Sequence, residues 1–274
     1  MDGKGDVQLL TPELATHKVH FLAGGRYFVD NFSRADMEPR SVLRNSDGKI
    51  VLELASPDLS RLYETGWKMP EPFTVKAADN MTDLYGYMWK PADFDSTKCY
   101  PIISTVYPGP FYEYVQTRFT VNDDLNTRLA QVGFIVVSMG HRGGTPMRGK
   151  YYHTYGYGNQ RDYPLADDKY AIEQLAQRYP FINAKKVGIF GHYGGGFMST
   201  AALLTYPDFY SAAVSSAGNH DNNIYNKGFV EIHYGVKEKT RVVKDSTGNE
   251  REEIMFETRS KTNQELAKNY KGGL

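Results

Sequence analysis

The chain has 274 residues, of which 41% are hydrophobic and 23% are charged, and its 32 basic residues balance its 32 acidic residues. A net charge of zero gives no support for nucleic-acid binding. The single cysteine, Cys99, excludes a disulfide framework and a cysteine-based metal site. No apolar run is long enough to cross a membrane, and residues 1–6 lack the apolar core of a signal peptide. We therefore expect a globular protein with no nucleic-acid or membrane partner.

Residues 1–70 are predicted to form β-structure. Residues 17–23 and 26–32 flank a Gly-Gly turn, and residues 39–44 and 49–54 flank a second turn at 45–48. Two such hairpins make a four-stranded sheet of the kind that forms a propeller blade. No second copy of the pattern follows, so the segment is either the last piece of a larger β-structure or a β cap on the next domain.

The sequence pattern changes after the proline-rich boundary at Met69–Pro72. A hairpin around Asp79 comes first, and near-continuous apolar strands then alternate with amphipathic helices. This alternation predicts a mostly parallel sheet with helices on both faces. The predicted strands are 101–107, 133–139, 187–190 and 211–216, and the predicted helices are 125–132, 164–179 and one that begins after residue 196.

A polar excursion interrupts this alternation at residues 237–261. Its pattern predicts a surface hairpin around a turn at 245–249. A short helix over 262–270 should follow, with Thr262 and Glu265 as its capping box.

The most informative stretch is the glycine-rich turn at 191–196. A buried strand precedes it and a helix follows, which is the context of the nucleophile elbow G-x-S-x-G. Gly191 and Gly195 occupy the two glycine positions, but Tyr193 stands where serine is expected. A dinucleotide fingerprint is excluded by Ile189, and a P-loop is excluded because Phe197 and the methionine after it replace Lys and Ser/Thr. On spacing alone, an elbow and a turn without chemistry are equally good interpretations.

Four motifs in order carry a resemblance to a known family: Val106–Pro110, Gly140–Gly144, Lys186–Gly196 and Ala217–Tyr225. From about Leu10 to the end, the chain resembles the prolyl oligopeptidase family of serine peptidases, and within it the bacterial dipeptidyl peptidase IV-like branch. The resemblance implies that residues 1–70 are the last β-propeller segment and that residues 71–274 are the first part of an incomplete α/β-hydrolase domain. It also implies hydrolysis of peptide bonds, often after proline, by a Ser-Asp-His triad. A peptide substrate or ligand, no cofactor, a possible homo-oligomer and relatives that are often exported complete the expectation.

The same resemblance assigns roles to individual residues. Tyr107 matches the donor of a phenolic hydrogen bond to the oxyanion, and the backbone N–H of Gly194 matches the second donor. Tyr225 falls in the segment that packs around the substrate proline. His192 and Arg142 are candidates for substrate contacts, with local packing and loop anchoring as their respective alternatives.

Other candidate groups are weaker. Ser199 lies on the helix beyond the turn and is expected to be either a helix-surface hydroxyl or a packing hydroxyl. A local Ser-His-Asp set can be composed from Ser215 or Ser216 with His220 and Asp221, although neighbours in sequence rarely have triad geometry. No metal site is expected, because the histidines at positions 141, 153, 220 and 233 lack metal-ligand spacing.

Two departures from the family pattern limit the prediction of activity. Tyr193 replaces the nucleophilic serine, and the family's acid and histidine follow strands that would lie beyond Leu274. We therefore expect this chain to be inactive as a peptidase and poorly soluble by itself. The alternatives are a non-catalytic peptide-binding module that retains the cleft, and an active enzyme from which this sequence departs at position 193 and after Leu274.

Overall fold

The computed structural model describes residues 5, 7–121 and 125–271. Its N-terminal part is an antiparallel sheet whose four strands are paired in chain order, which confirms the two predicted hairpins. The strands are β1 (Thr16–Phe21), β2 (Tyr27–Arg34), β3 (Met37–Asn45) and β4 (Ile50–Ala55).

A six-stranded mixed sheet forms the centre of the molecule, in the order β10-β9-β7-β8-β6-β5. Strands β7 to β10 run parallel to one another, whereas β6 is antiparallel to β8 and β5 is antiparallel to β6. The strands are β5 (Glu71–Lys76), β6 (Asp83–Trp89), β7 (Tyr100–Val106), β8 (Ile135–Met139), β9 (Ile182–His192) and β10 (Tyr210–Ser216). The start of β5 at Glu71 coincides with the expected domain boundary, and the division into two domains itself stays a prediction.

Helices pack on both faces of this sheet. Helix α4 has Leu165, Ile172 and Leu175 buried at helical spacing, and it ends before the proline at position 180. The helices are α1 (Ser60–Glu64), α2 (Leu125–Gln131), α3 (Lys150–His153), α4 (Leu165–Arg178), α5 (Gly194–Thr205) and α6 (Lys227–Tyr234), with 3-10 turns at Pro146–Arg148, Thr154–Gly156, Asn222–Ile224 and Gln264–Asn269.

Strand β8 shows how the two faces are built. All five of its side chains are buried, because a parallel strand inside the sheet is covered on both sides. Ile135, Val137 and Met139 belong to the core cluster that also contains residues of α4 and α5. Val136 points the other way and packs with Ala130 of α2. Burial of each such side chain contributes about 1.5–3 kcal/mol to stability.

A buried carboxylate joins several elements on the face of the sheet that α4 and α5 cover. Asp168 of α4 is fully buried and accepts hydrogen bonds from the hydroxyls of Ser104 at 2.7 Å and Tyr210 at 2.8 Å. His141 Nε2 lies 3.3 Å from the same carboxylate. Burial and the adjacent Asp168 raise the pKa of Tyr210 well above its usual value, so the phenol remains a donor. The network joins α4 to strands β7 and β10 and to the loop after β8.

The opposite face is only partly covered. Beside α2, an apolar groove of about 550 Å³ runs over β7, β9 and β10, with Ile103, Phe190 and Val214 in its lining. Strand β10 lies at the edge of the sheet within the described residues, and Val214 is 57% exposed. An exposed apolar edge favours association, so the expected poor solubility stays a prediction with a physical basis.

The polar excursion forms the predicted hairpin, β11 (Lys237–Lys244) and β12 (Glu250–Glu257). The predicted capping box after it is wrong. The 3-10 turn there begins after Asn263 without a side-chain cap, and Glu265 pairs with Arg161 at 3.0 Å instead. Among the helices that the structure describes, none is both long and apolar enough for a membrane span.

Candidate functional site

The candidate site lies at the carboxyl edge of the parallel strands. Strands β7, β9 and β10 run in the same direction, so the loops that follow them meet at one edge of the sheet. Tyr107 directly follows β7, Tyr193 directly follows β9, and Tyr225 lies in the loop after β10. The topology therefore brings together three residues that are far apart in sequence.

The turn after β9 has the sharp geometry of an elbow. Tyr193 lies between strand and helix with φ 51° and ψ −109°, a region that non-glycine residues rarely adopt. Its N–H donates to the carbonyl of Ser216 at 2.8 Å, and its carbonyl accepts from the N–H of Phe197 at 2.9 Å. Such backbone strain costs about 1–3 kcal/mol and persists only where the surroundings hold it. The structure thus confirms the strand–elbow–helix interpretation of this stretch.

The two flanking glycines are required by close backbone approach. A Cβ atom at Gly195 would overlap the carbonyl oxygen of Val106, and one at Gly191 would overlap the backbone of Gly195. The helix start therefore packs directly against the end of β7. This contact places the residue after β7 beside the elbow.

Aromatic rings surround the elbow residue. The ring of Tyr193 lies 6.3 Å from that of Tyr107 and 6.1 Å from that of Tyr225, measured between centroids. The series continues from Tyr107 to Tyr112 at 5.7 Å and from Tyr225 to Phe229 at 5.7 Å. A small cavity of about 50 Å³ lies beside these rings. The side chain of Tyr193 is thus part of the wall of this cavity.

The phenols of Tyr193 and Tyr107 are protonated at neutral pH. Burial, the hydrogen bond to Tyr225 and the nearby phenol of Tyr107 raise the pKa of Tyr193 above its usual value. Burial, followed by the phenols of Tyr112 and Tyr225, also raises the pKa of Tyr107. Tyr107 is therefore a hydrogen-bond donor rather than a phenolate.

A second donor lies at the start of α5. Gly194 is the first residue of this helix, so its N–H has no acceptor within the helix. The carbonyl of Pro108 would be only 2.9 Å from a Cβ at this position, which shows how closely the loop after β7 covers the helix start. One N–H and one phenolic O–H can thus be offered to a carbonyl oxygen, and the oxyanion roles of Gly194 and Tyr107 stay predictions.

The local Ser-His-Asp set is wrong. The carboxylate of Asp221 accepts from the N–H of Asn223 at 2.9 Å, and the hydrogen-bond partners of His220 within the described residues do not include Asp221. His220 lies between Ser215, 3.3 Å from Nε2, and the side-chain amide of Asn263, 2.9 Å from Nδ1. Since the amide N–H donates to Nδ1, the ring proton is on Nε2, and His220 cannot accept the proton of Ser215. Burial lowers the pKa of His220, which keeps the ring neutral.

His192 and Ser199 have local partners. His192 is exposed, and its Nδ1 lies 2.9 Å from the hydroxyl of Ser216 on β10. Ser199 is fully buried, and its hydroxyl donates to the carbonyl of Gly195 at 2.7 Å. Of the two expected roles, the packing hydroxyl is therefore confirmed and the helix-surface hydroxyl is wrong.

Arg142 is bound by carboxylates of the protein itself. Its guanidinium donates to Asp167 at 2.6 and 2.9 Å and to Asp79 at 3.0 Å, and it lies 4.1 Å from the ring centroid of Tyr155. Asp167 is fully buried and also accepts from the N–H of Ala78. These contacts join the loop after β8 to α4 and to the β5–β6 turn, which favours the loop-anchoring interpretation over a substrate contact.

One group of side chains has the spacing of metal ligands. Ligand atoms of Glu13, His17 and Asp30 lie within 4.8 Å of one another in the four-stranded sheet. Arg44, however, donates to Asp30 at 3.0 Å and to Glu13 at 2.7 Å, and both ring nitrogens of His17 have partners. Because a guanidinium already neutralises these carboxylates, the group fits an internal ion network better than a metal site.

Comparison with known proteins assigns the chain to a family. The model of the prolyl oligopeptidase family matches residues 122–264, just over half of the chain. The chain belongs to the prolyl oligopeptidase family. The expected recognition is therefore confirmed.

Relatives of this prolyl oligopeptidase family member carry dipeptidyl peptidase and prolyl endopeptidase names. Human dipeptidyl peptidase 8 is 32% identical over 168 residues, which are 61% of this chain and 18% of that protein. Mouse prolyl endopeptidase FAP is 27% identical over 194 residues, which are 68% of this chain and 25% of that protein. The chain thus spans about a quarter or less of these relatives.

Solved structures agree on the fold. A Bacteroides ovatus protein described as a dipeptidyl aminopeptidase IV superposes with a TM-score of 0.71 at 27% identity, over 81% of this chain and 31% of that one. Porphyromonas gingivalis dipeptidyl peptidase 4 superposes with a TM-score of 0.70 at 23% identity, over 82% and 32%, and this likeness shows the fold alone. Their likeness to this chain implies the fold arrangement in which a β-propeller is combined with an α/β-hydrolase domain.

Several residues of the site were missed by sequence reasoning. Phe229 lines the cavity, and the side chain of Asn263 reaches His220. Asp167 holds Arg142, although in sequence it reads as an ordinary acidic residue of the first helical turn. Only the four-residue spacing of the aromatic residues Tyr225 and Phe229 was a usable signal in this set.

Proposed function

We propose that this chain is a dipeptidyl peptidase-like family member that binds peptides and does not hydrolyse them. The observation that carries the proposal is the tyrosine in the elbow. The turn, its glycines and its neighbouring donors have the geometry of a nucleophile elbow, and the one side chain that should attack is replaced by Tyr193.

The phenol of Tyr193 is a poor substitute for a serine hydroxyl. Its oxygen lies at the far end of a ring, beyond the position from which a serine on the same backbone would attack. Its raised pKa keeps it protonated, and an attacking phenol needs a base. In subtilisin, loss of the nucleophile alone lowers kcat by on the order of 10⁶.

The hydrogen bonds of the histidines near the elbow support the proposal that no general base activates residue 193. His192 and His220 bond to serines and an amide rather than to a carboxylate. In the described part of the chain, the histidines bonded to carboxylates are His17 with Asp30 and His141 with Asp168. The first pair lies in the four-stranded sheet and the second is buried beneath α4, so neither faces the elbow turn.

Peptide binding is supported by the groups that remain. The phenol of Tyr107 and the N–H of Gly194 can hold a peptide carbonyl, and the aromatic rings offer an apolar wall. The named relatives are dipeptidyl peptidases and a prolyl endopeptidase, so a short peptide with proline at its second position is the first ligand to test. The proposal also includes association of the chain with a second copy of itself.

The test uses the full chain and alanyl-prolyl p-nitroanilide. We expect no release of p-nitroaniline by the wild type or by Tyr193→Ser, and saturable binding of the same compound by calorimetry. The control is Tyr107→Phe, which removes one proposed donor and should weaken binding without affecting the fold. Turnover by the wild type would overturn the proposal. Turnover by Tyr193→Ser alone would show that a base is available and that residue 193 by itself prevents catalysis.

A further inference from the structure

The cavity beside the elbow is lined by uncharged side chains. Its lining residues include six aromatic side chains, together with prolines, glycines, two asparagines and a glutamine. None of these residues carries a charge in the part of the chain that the structure describes. A neutral, flat ligand group therefore fits the chemistry of this wall better than an ion. The six aromatic residues are Tyr107, Phe111, Tyr193, Phe197, Phe229 and Tyr234.

The volume of the cavity limits which ligand groups it can hold while the ring of Tyr193 is in place. Its volume is about 50 Å³, about a third of an apolar cavity of about 150 Å³ that binds benzene in another protein. An aromatic ring therefore needs more room than the cavity offers, and displacement of the partly buried ring of Tyr193 would supply it. Tyr193 occupies this room as an internal ligand, with Tyr107 and Tyr225 beside it at 6.3 and 6.1 Å.

The side chain of Tyr193 can leave without disturbing the elbow. The turn is held by backbone atoms, namely the N–H of Tyr193 on Ser216 and the carbonyl of Tyr193 on Phe197. Neither of these two backbone bonds involves the phenol, and Tyr193 is only partly buried. A rotation about its side-chain bonds would open the cavity while the strand and helix stay in place.

An unpartnered acceptor points to the polar end of the ligand. The side-chain oxygen of Asn219 is buried and has no hydrogen-bond partner, although Asn219 lines the cavity. Its amide nitrogen is already used, because it donates to Asn222 at 2.7 Å. A buried acceptor without a donor is costly, so a ligand with an O–H group would gain by supplying one.

We propose that this cavity binds the para-hydroxyphenyl side chain of a tyrosine-containing peptide, in place of the protein's own Tyr193 ring. The rings of Tyr107 and Tyr225 flank the bound ring, and Asn219 or the phenol of Tyr225 pairs with its hydroxyl. The inference rests on the proposed peptide-binding function and names the side chain that the site selects. A phosphorylated tyrosine is rejected, because no cation lines the cavity.

The first experiment replaces the internal ligand with a free one. Tyr193→Gly removes the ring and suits the positive φ at this position. We expect the full-length variant to bind p-cresol at least about ten-fold more tightly than the wild type does, measured by calorimetry. Toluene, which lacks the hydroxyl, and phenyl phosphate, which adds charge, should both bind more weakly than p-cresol.

Two controls separate the cavity from general effects. Tyr193→Phe keeps a ring in place, so p-cresol should bind it as weakly as it binds the wild type. Tyr151→Ala removes a tyrosine that is 88% exposed and lies outside the cavity lining, and it should leave p-cresol binding unchanged. Equal binding of p-cresol to the wild type and to folded Tyr193→Gly would overturn the proposal. Equal binding of toluene and p-cresol would overturn the assigned role of the hydroxyl.

A peptide competition connects the cavity to the proposed function. An acetyl-tyrosine amide should bind Tyr193→Gly more tightly than acetyl-proline amide does, and it should displace p-cresol. If alanyl-prolyl compounds bind the wild type but p-cresol fails on the variant, the cavity proposal fails and peptide binding stands. If the wild type hydrolyses the alanyl-prolyl substrate while p-cresol binds the variant, the proposed lack of catalysis fails and the cavity assignment stands.

Discussion

Two glycine-containing loops at the same edge of the sheet are held in different ways. The elbow at 191–196 is held by backbone packed on backbone, with Gly195 against the carbonyl of Val106. The loop at 140–144, after β8, is held by charge, with Arg142 bound to Asp167 and Asp79. One loop depends on the absence of side chains, and the other depends on a specific set of them.

This difference in how the two loops are held explains why the elbow turn forms with tyrosine at position 193 in place of serine. The hydrogen bonds of residue 193 to Ser216 and Phe197 use only its backbone atoms, so serine and tyrosine can occupy the same turn. A replacement at Arg142 would instead leave the buried Asp167 without its main partner. Catalytic chemistry can thus be lost at the elbow without loss of the fold, whereas the neighbouring loop tolerates little change in its charges.

The largest effect should come from Arg142→Leu. Removal of one partner leaves the Asp167 charge buried and unpaired, and we expect unfolding free energy to fall by about 3–5 kcal/mol. Urea denaturation of the variant and the wild type measures this change. The double variant Arg142→Leu with Asp167→Leu should be less destabilised than the single variant, because no buried charge remains. A loss below about 1 kcal/mol in the single variant would contradict the assigned anchoring role.

Next in size is Gly195→Ala. The added Cβ would overlap the backbone carbonyl of Val106, and backbone cannot move aside as a side chain can. We expect a loss of about 3 kcal/mol or more in unfolding free energy, with the same urea assay. Because the overlap separates the end of β7 from the elbow, the fluorescence of the nearby tyrosines should also change.

Gly140→Ala is the matched change in the other loop and should be milder. Its Cβ would overlap the side chain of Glu113, which can rotate away. The loss should stay below about 1.5 kcal/mol, since it reflects the hydrogen bond from the Tyr152 hydroxyl to Glu113. A loss as large as that of Gly195→Ala would show that the loop after β8 also depends on backbone packing.

The smallest effect is the pH response of the Arg142 loop. Burial opposes ionisation of Asp79, but hydrogen bonds from Thr82 and Met81 and the charge of Arg142 outweigh it and hold its pKa at about 2, below the usual 3.8. Since the pKa is lower in the folded protein, ionised Asp79 stabilises the fold above about pH 4, and this contribution is lost as the pH falls through about 2. The stability difference between the wild type and Asp79→Asn should therefore shrink over this window. A difference independent of pH would exclude an ionic contribution from Asp79.

The sequence by itself determined the local elements of this protein. Alternating residues predicted the two N-terminal hairpins, apolar runs predicted β7 to β10, and the spacing of Gly191 and Gly195 predicted the elbow. These features follow from short-range rules, namely side-chain periodicity and the room that a tight turn requires. The identity of residue 193 was also readable at once, because the surrounding motif leaves only one position for a nucleophile.

Only the tertiary structure decided which distant groups meet. The capping pattern at Thr262 was overridden because Arg161 binds Glu265, and the Ser-His-Asp set failed because Asn263 rather than Asp221 reaches His220. The placement of the Tyr193 ring in the wall of the cavity depends on loops from three strands. Hydrogen-bond and ion-pair partners separated by tens of residues are selected by packing and by the need to satisfy buried polar groups. Neither of these factors produces a periodic pattern in the sequence.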